Sequence, residues 1–304
     1  MKNGSINWLL AAGLCTAVLT GGCARRNEAK IGTPEEPLVV VLSPAHAPAS
    51  SSGALIFLKK YLEAATGMSV NIEVALTPAD AIKKFDANQA DAGLVTLEEY
   101  LVAREEYGVR PALQALRGDG LDAYDGVILT KAAGGAKSVA DLAGKKVGFT
   151  GPYSVSGFTL PSIYLKKAGV EVNADFSPSH EANLQKLVRG EVYAAATYAR
   201  QAARQPGLKV LAVTGKVPNE PLIIRRSLRP EKSAALVSAF LKLADTKEGR
   251  GALGALADIT GFGPADTDVY RPVHDLIRAE GKTVYDLVPD GWYIYRLNQP
   301  YYPD

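Results

Sequence analysis

Cysteine is almost absent: there are 2 in 304 residues, Cys15 and Cys23, both close to the N-terminus. If Cys23 is used up by modification, the remaining body has no thiol, which excludes disulfide staples, thiolate chemistry and cysteine metal sites together. Histidine is nearly as scarce. None of His46, His180 and His274 stands three or four positions from another, so neither a histidine metal site nor a cofactor is expected. No charge of one sign dominates, since 34 Lys+Arg against 32 Asp+Glu leave +2. Without a clustered basic surface, nucleic acid is not an expected partner. The N-terminal apolar stretch Trp8 to Leu19 is too short to span a bilayer.

What is present is an ordinary globular balance, 47% hydrophobic and 22% charged, with aliphatic residues spread along the chain. That argues against disorder, and the length suggests two packed units that bury about three quarters of the unfolded surface. Residues 1–22 read as a signal peptide, with Lys2 ahead of the apolar run. Gly21 and Gly22 before Cys23 resemble the bacterial lipoprotein signal, in which the cysteine becomes the lipidated N-terminus. Plain secretion with an unmodified Cys23 is the alternative. Residues 23–37 are polar and carry Gly and Pro, and are expected to form a flexible lipid-anchored tether.

From Leu38 onward, strands and helices alternate. Leu38 to Leu42 (LVVVL) is a continuous apolar run, as expected of a strand covered on both faces. In the next stretch Leu55, Leu58, Tyr61, Leu62 and Ala65 recur at helical spacing, with Gly67 where a helix-ending glycine belongs. Val70 to Val74, Ala92 to Val95, Val127 to Thr130, Val147 to Phe149, Tyr193 to Thr197 and Val210 to Val213 read as further strands, and Ala79 to Ala87 as a helix. The pattern predicts an α/β fold with mostly parallel sheets and a ligand beyond the carboxyl ends of the strands. Crossings between lobes are expected near Tyr124 to Thr130 and near Gly215 to Leu222. They place 38–125 with 222–280 in lobe 1 and 126–221 in lobe 2, followed by an aromatic extension over 281–304.

Lys137 to Thr150 (KSVADLAGKKVGFT), continued by Gly151-Pro152-Tyr153-Ser154-Val155-Ser156-Gly157, resembles the phosphate/phosphite/phosphonate substrate-binding proteins of ABC transporters. These are two-lobed type II periplasmic binding proteins. Asp91 to Ala103 (DAGLVTLEEYLVA), Ser179-His180-Glu181-Ala182 and Val217-Pro218-Asn219-Glu220-Pro221 resemble further family segments in the same order, so the likeness runs from about 38 to about 275. It implies a ligand-facing Tyr100, ligand contacts from the Ser154–Gly157 loop and from His180, and an acidic hinge residue, Glu220, standing where the family has Asp. It further implies a small-molecule ligand, an ABC permease in the inner membrane, a monomer, and a place on the periplasmic or cell-surface face of a bacterial membrane.

The residues support part of this by themselves. Ser154, Ser156 and Gly157 follow a strand and open a helical stretch, so unpaired backbone N–H groups and hydroxyls are available to an anionic oxygen cluster. The alternative is that Ser154 or Ser156 only caps the helix. Val155 takes the place of a family threonine and removes one hydroxyl donor. Tyr193 stands where the family usually has Asp, and Tyr153 and Tyr198 add aromatic surface. These departures keep open a larger or more apolar ligand in the same fold, or a sensor subunit that presents ligand. An enzyme built on Ser154 or Ser156 with His180 as base is not expected, because Gly-x-Ser-x-Gly is absent and no third residue orients the histidine. The extension holds Tyr285, Trp292, Tyr293, Tyr295, Tyr301 and Tyr302, best read as a strap packed across one lobe.

Overall fold

The computed structural model describes residues 26–86 and 88–295. Residues 1–22, Cys23 with its expected lipid, Ala87, Tyr301 and Tyr302 lie outside the described residues.

The chain runs β1 (Leu38–Leu42), α1 (Ser52–Thr66), β2 (Val70–Val74), α2 (Pro78–Lys83), β3 (Ala92–Leu94), α3 (Leu97–Tyr107) and β4 (Arg110–Leu116) in one lobe. It crosses to β5 (Ala123–Lys131), β6 (Lys146–Thr150), α4 (Leu160–Lys167), β7 (Asn173–Ser177), α5 (His180–Arg189), β8 (Ala194–Tyr198), α6 (Ala199–Ala203) and β9 (Leu208–Pro218) in the other. It then returns as β10 (Pro221–Ile224), α7 (Pro230–Leu243), α8 (Lys247–Ala257), β11 (Gly261–Pro264) and α9 (Thr267–Ala279). Strand β1 shows why its sequence is apolar throughout. Val39 and Val41 enter one core cluster and Leu38, Val40 and Leu42 the other, so helices cover both faces. Helix α1 buries Leu58 and Leu62 and stops at Gly67, whose φ of 68° lets its N–H reach the Glu63 carbonyl.

The first sheet has the order β11-β4-β10-β3-β1-β2 and the second β7-β6-β8-β5-β9. Pairing is parallel within β2-β1-β3 and within β7-β6-β8. The hinge-side strands β10, β4, β11, β5 and β9 pair antiparallel, so the expectation of mostly parallel sheets describes only half of each lobe. The reason is topological: one segment leaves lobe 1 as the other returns, so the two run in opposite directions. Residues 123–125, assigned above to lobe 1, pair in the second sheet, and Pro221 pairs in the first.

Residues 26–37 do not behave as a flexible tether. Arg26 lies 2.8 Å from the buried Asp91, Glu28 takes two hydrogen bonds from Arg225 at 2.6 and 2.7 Å, and Ile31 is buried in the lobe 1 core. Polar composition hid this, because the docking is carried by ion pairs to residues far along the chain. At the other end, Val284, Tyr285, Leu287, Val288 and Ile294 pack into the core beside α3, and the Tyr285 hydroxyl donates to Glu106 at 2.7 Å. The extension is a strap on lobe 1 through residue 295.

The lobes touch. Arg200 meets Asp258 at 2.8 Å and Lys166 meets Glu280 at 3.0 Å, while Val155 and Leu160 of lobe 2 enter the lobe 1 core cluster. Asn219 laces the two crossings together: its side-chain amide donates to the Ala115 and Leu121 carbonyls at 2.9 and 2.8 Å.

Candidate functional site

The lobe 2 wall is built at the carboxyl ends of β6 and β8. Strand β6 ends at Thr150, the chain turns through Gly151-Pro152-Tyr153, and a wide helical turn over Val155–Thr159 leads into α4. Ser154 caps that turn, its Oγ accepting the Gly157 N–H at 3.1 Å, so the capping reading describes Ser154. The Ser156 hydroxyl is buried and hydrogen-bonds with Tyr124 of β5. Gly157 is there for space, since a Cβ would stand 2.6 Å from Thr150 Cβ and 3.1 Å from His180 Cε1. His180 begins α5 behind the capping Ser179, and its Nδ1 lies 3.2 Å from Thr150 Oγ1 and 3.0 Å from Thr197 Oγ1. Burial lowers its pKa to about 4, so the imidazole is a neutral donor or acceptor at neutral pH. The Tyr198 ring packs edge-on against His180, with centroids 4.9 Å apart, and Tyr124 packs on Tyr198 at 5.5 Å.

The lobe 1 wall is acidic. Thr96 and Glu99 form a capping box that opens α3, which sets Glu98 on the first turn, facing lobe 2. Its Oε1 accepts the Val155 N–H at 2.9 Å across the cleft. Burial pushes the Glu98 carboxyl up, opposed by that N–H. Burial likewise pushes Glu99 up to about 7, with its Oε1 accepting from Ser43 Oγ at 2.8 Å. Glu220, on the returning crossing, takes both guanidinium nitrogens of Arg117, one of them at 2.6 Å, and His46 Nε2 lies 3.4 Å away. Burial disfavours its charge, yet His46 and Arg117 outweigh that and hold the carboxyl below the usual range. His46 itself is kept low by burial.

Of the residues read from the sequence, the fold gathers Ser154, Val155, Ser156, Gly157, His180 and Tyr198 on one wall and sets Glu220 near the other. Glu220 is clamped by Arg117. Tyr153 stands on the preceding turn, 39% exposed. Val155 offers its backbone only, because its side chain is buried in the lobe 1 core cluster. Tyr100 does not face the cleft: it is buried in α3 with its ring 4.8 Å from Tyr270. Tyr193 precedes β8 at the end away from the cleft, about 16 Å along the strand from Tyr198, beneath the Lys145 ammonium. Sequence reasoning passed over Glu98, Thr150, Thr197, Tyr124, Arg117 and His46. A signal existed for Glu98, since the Thr96-x-x-Glu99 box marks a helix start at the carboxyl end of β3. None existed for the Arg117–Glu220 pair, 103 residues apart.

Two α/β lobes on paired crossings, with a donor-rich strand-to-helix turn facing a second lobe, define a type II periplasmic binding protein. Solved structures share this fold. A Xanthomonas citri protein bound to ATP superposes with a TM-score of 0.67 at 18% identity, covering 83% of this chain and 100% of that one. The binding protein component of an ABC phosphonate transporter from Pseudomonas aeruginosa gives 0.63 at 20% identity, covering 80% and 86%. PhnD1 from Prochlorococcus marinus in complex with methylphosphonate gives 0.63 at 18% identity, covering 81% and 98%. The chain belongs to the family described as ABC transporter, phosphonate, periplasmic substrate-binding protein, whose sequence profile matches residues 40–270. The Phosphate-import protein PhnD of Mycolicibacterium smegmatis is 26% identical over 208 residues, which is 63% of this chain and 65% of that protein, just under two thirds of its length.

Proposed function

We propose that this chain is the lipid-anchored solute receptor of an ABC importer. It encloses a small phosphonate-, phosphite- or phosphate-like oxyanion between its lobes and hands it to a membrane permease, doing no chemistry itself. The observation that carries this reading is the 154–157 turn. It joins the Ser156 and Tyr124 hydroxyls and a neutral His180 at the carboxyl ends of two strands, facing the other lobe, beside the Val155 N–H that Glu98 holds across the cleft. Neutral hydrogen bonds to a charged ligand contribute roughly 1.5–3 kcal/mol each, so three or four supply about 5–12 kcal/mol toward holding an oxyanion here. Lobe closure around the ligand then gives the permease a distinct shape to recognise. The larger, more apolar ligand loses support here, because Val155 and Tyr193 do not line the cleft and Tyr198 alone does.

Titration calorimetry on residues 24–304, refolded to remove carried ligand, tests the reading with phosphate, phosphite, methylphosphonate and 2-aminoethylphosphonate. Micromolar binding of one of them, lost in Ser156→Ala and His180→Ala, is the expected result. Silence from all four would overturn the oxyanion assignment. Mass spectrometry of the membrane fraction, with and without Cys23→Ser, reads the anchor: the lipid adduct disappears with the cysteine.

A further inference from the structure

The Val155 N–H, a backbone donor of the anion-facing turn, already has an acceptor across the cleft. Glu98 Oε1 holds it at 2.9 Å from the opposite lobe. An oxyanion seated on this turn therefore lies against a carboxylate of the protein. Two ionised groups cannot share that space without strong repulsion, and the surroundings do little to relieve it. The titratable and charged groups that face Glu98 are Glu99 on its own helix, Tyr124 of β5 in lobe 2, and Glu220 on the crossing. The one guanidinium in this group, Arg117, is spent on Glu220, and burial lowers the pKa of His46 beside it. Glu98 thus has carboxylates and a phenol for neighbours and, among the described residues, no cation of its own.

Resting on the oxyanion reading above, we propose that Glu98 is the specificity residue of this cleft: it admits an oxyanion only together with one proton, and so selects phosphonate-type ligands over ions that stay completely deprotonated, such as sulfate. The proton sits between Glu98 and the ligand. A phosphonate bearing an acidic O–H donates it to the carboxylate, and a phosphonate dianion is basic enough to share a proton that Glu98 has taken from solvent, whereas sulfate brings no proton and is too weak a base to share one. The two phosphonate routes end in the same complex, in which one strong hydrogen bond replaces one repulsion. Burial, which pushes the Glu98 carboxyl up, makes the proton available nearer neutral pH. The residue also supplies discrimination by the harsher route: a buried carboxylate set against an ion that brings no proton penalises the wrong ligand more than a missing contact would.

The test is calorimetry with methylphosphonate and with sulfate, at pH 6 and pH 8, in two buffers of different ionisation enthalpy, on the wild type and Glu98→Gln. For the wild type we expect proton uptake when the dianion binds and an affinity that falls by up to tenfold per pH unit above the linked pKa, with sulfate bound at least a hundredfold more weakly than methylphosphonate. In Glu98→Gln the uptake from the protein disappears, and sulfate gains tenfold or more relative to methylphosphonate. Equal proton uptake and equal discrimination in both proteins would overturn the role of Glu98 and leave the receptor reading standing. Failure of both proteins to bind either ion, or the other oxyanions named above, would overturn both. Should the variant not fold, the Val155 amide resonance of labelled wild-type protein answers instead. It must move with the Glu98 titration in the ligand-free protein and stop doing so on saturation with methylphosphonate; a pH-insensitive amide overturns the proposal.

Discussion

Gly157→Ala tests the cleft most directly. An alanine Cβ there would stand 2.6 Å from Thr150 Cβ, 2.9 Å from Ser154 Oγ and 3.1 Å from His180 Cε1. Comfortable carbon contacts lie at about 3.5–4.0 Å, so relief of the Thr150 clash alone requires a shift of about 1 Å. Thr150 closes strand β6 and cannot retreat, so the turn must move. Overpacking of this kind costs about 1–3 kcal/mol of stability. The cost to binding is separate. Two hydrogen bonds of about 1.5–3 kcal/mol each, displaced by an ångström, lose roughly 3 kcal/mol between them, or about two orders of magnitude in affinity. Thermal melting and calorimetry on the same preparation read both effects. Gly254→Ala is the matched control: it lies on the exposed side of α8 with nothing within 4 Å of an added Cβ. It should raise stability by about 0.5–1 kcal/mol and leave binding untouched. If Gly157→Ala binds oxyanion within threefold of the wild type, the turn does not hold the ligand as argued.

Asp91 accepts Val39 N–H, Arg225 Nε and Arg26, each at 2.8 Å, with no exposure of its own. Asp91→Ala leaves a buried guanidinium short of one partner and an amide with none, and should cost about 4 kcal/mol in urea unfolding. Asp91→Ala with Arg225→Met should recover most of that loss, and a single-variant cost below about 1 kcal/mol would refute the account. Removing residues 24–37 takes away Arg26, Glu28 and Ile31 at once, so the truncated protein should melt several degrees lower and bind oxyanion unchanged; equal melting temperatures would show that the segment contributes nothing. His180 titrates near pH 6.5 when unfolded and at about 4 when folded, so its neutral form is the folded one. The associated stability is present above about pH 6.5 and is lost as pH falls toward 4, by about 2–3 kcal/mol. Melting curves at pH 7 and 4.5 should show a shallower pH slope in His180→Asn, and equal slopes would count against the buried neutral ring.

How much of this was legible follows from the range over which each feature is decided. Strand β1 and the end of α1 are local: an unbroken apolar pentapeptide and a glycine in the left-handed region state their structure in the residues themselves. The strand-to-helix turn after β6 was nearly as readable, because hydroxyls and glycine between a strand and a helical run mark such a turn. Strand direction was not, since β4 and β10 are antiparallel only because the chain leaves and re-enters the lobe between them. The docked N-terminal segment failed for a related reason. Its polar residues look solvated until their partners, Asp91 and Arg225, come into view far along the chain.

The same rule explains why family position misled at Tyr100 and missed Glu98, two residues earlier on one helix. Successive helical residues point about 100° apart, so of two residues separated by about 200° one faces the cleft when the other faces the core. Tyr100, the larger and more apolar, took the core against Tyr270, which left Glu98 to meet lobe 2. A tyrosine in that segment is therefore compatible with either role, and what decides is which neighbour can tolerate exposure. Here the alternative was a glutamate, whose carboxylate found a partner in the Val155 N–H of the opposite lobe. The cleft thereby acquired a carboxylate facing the opposite lobe, and the proton demand proposed above follows from that placement.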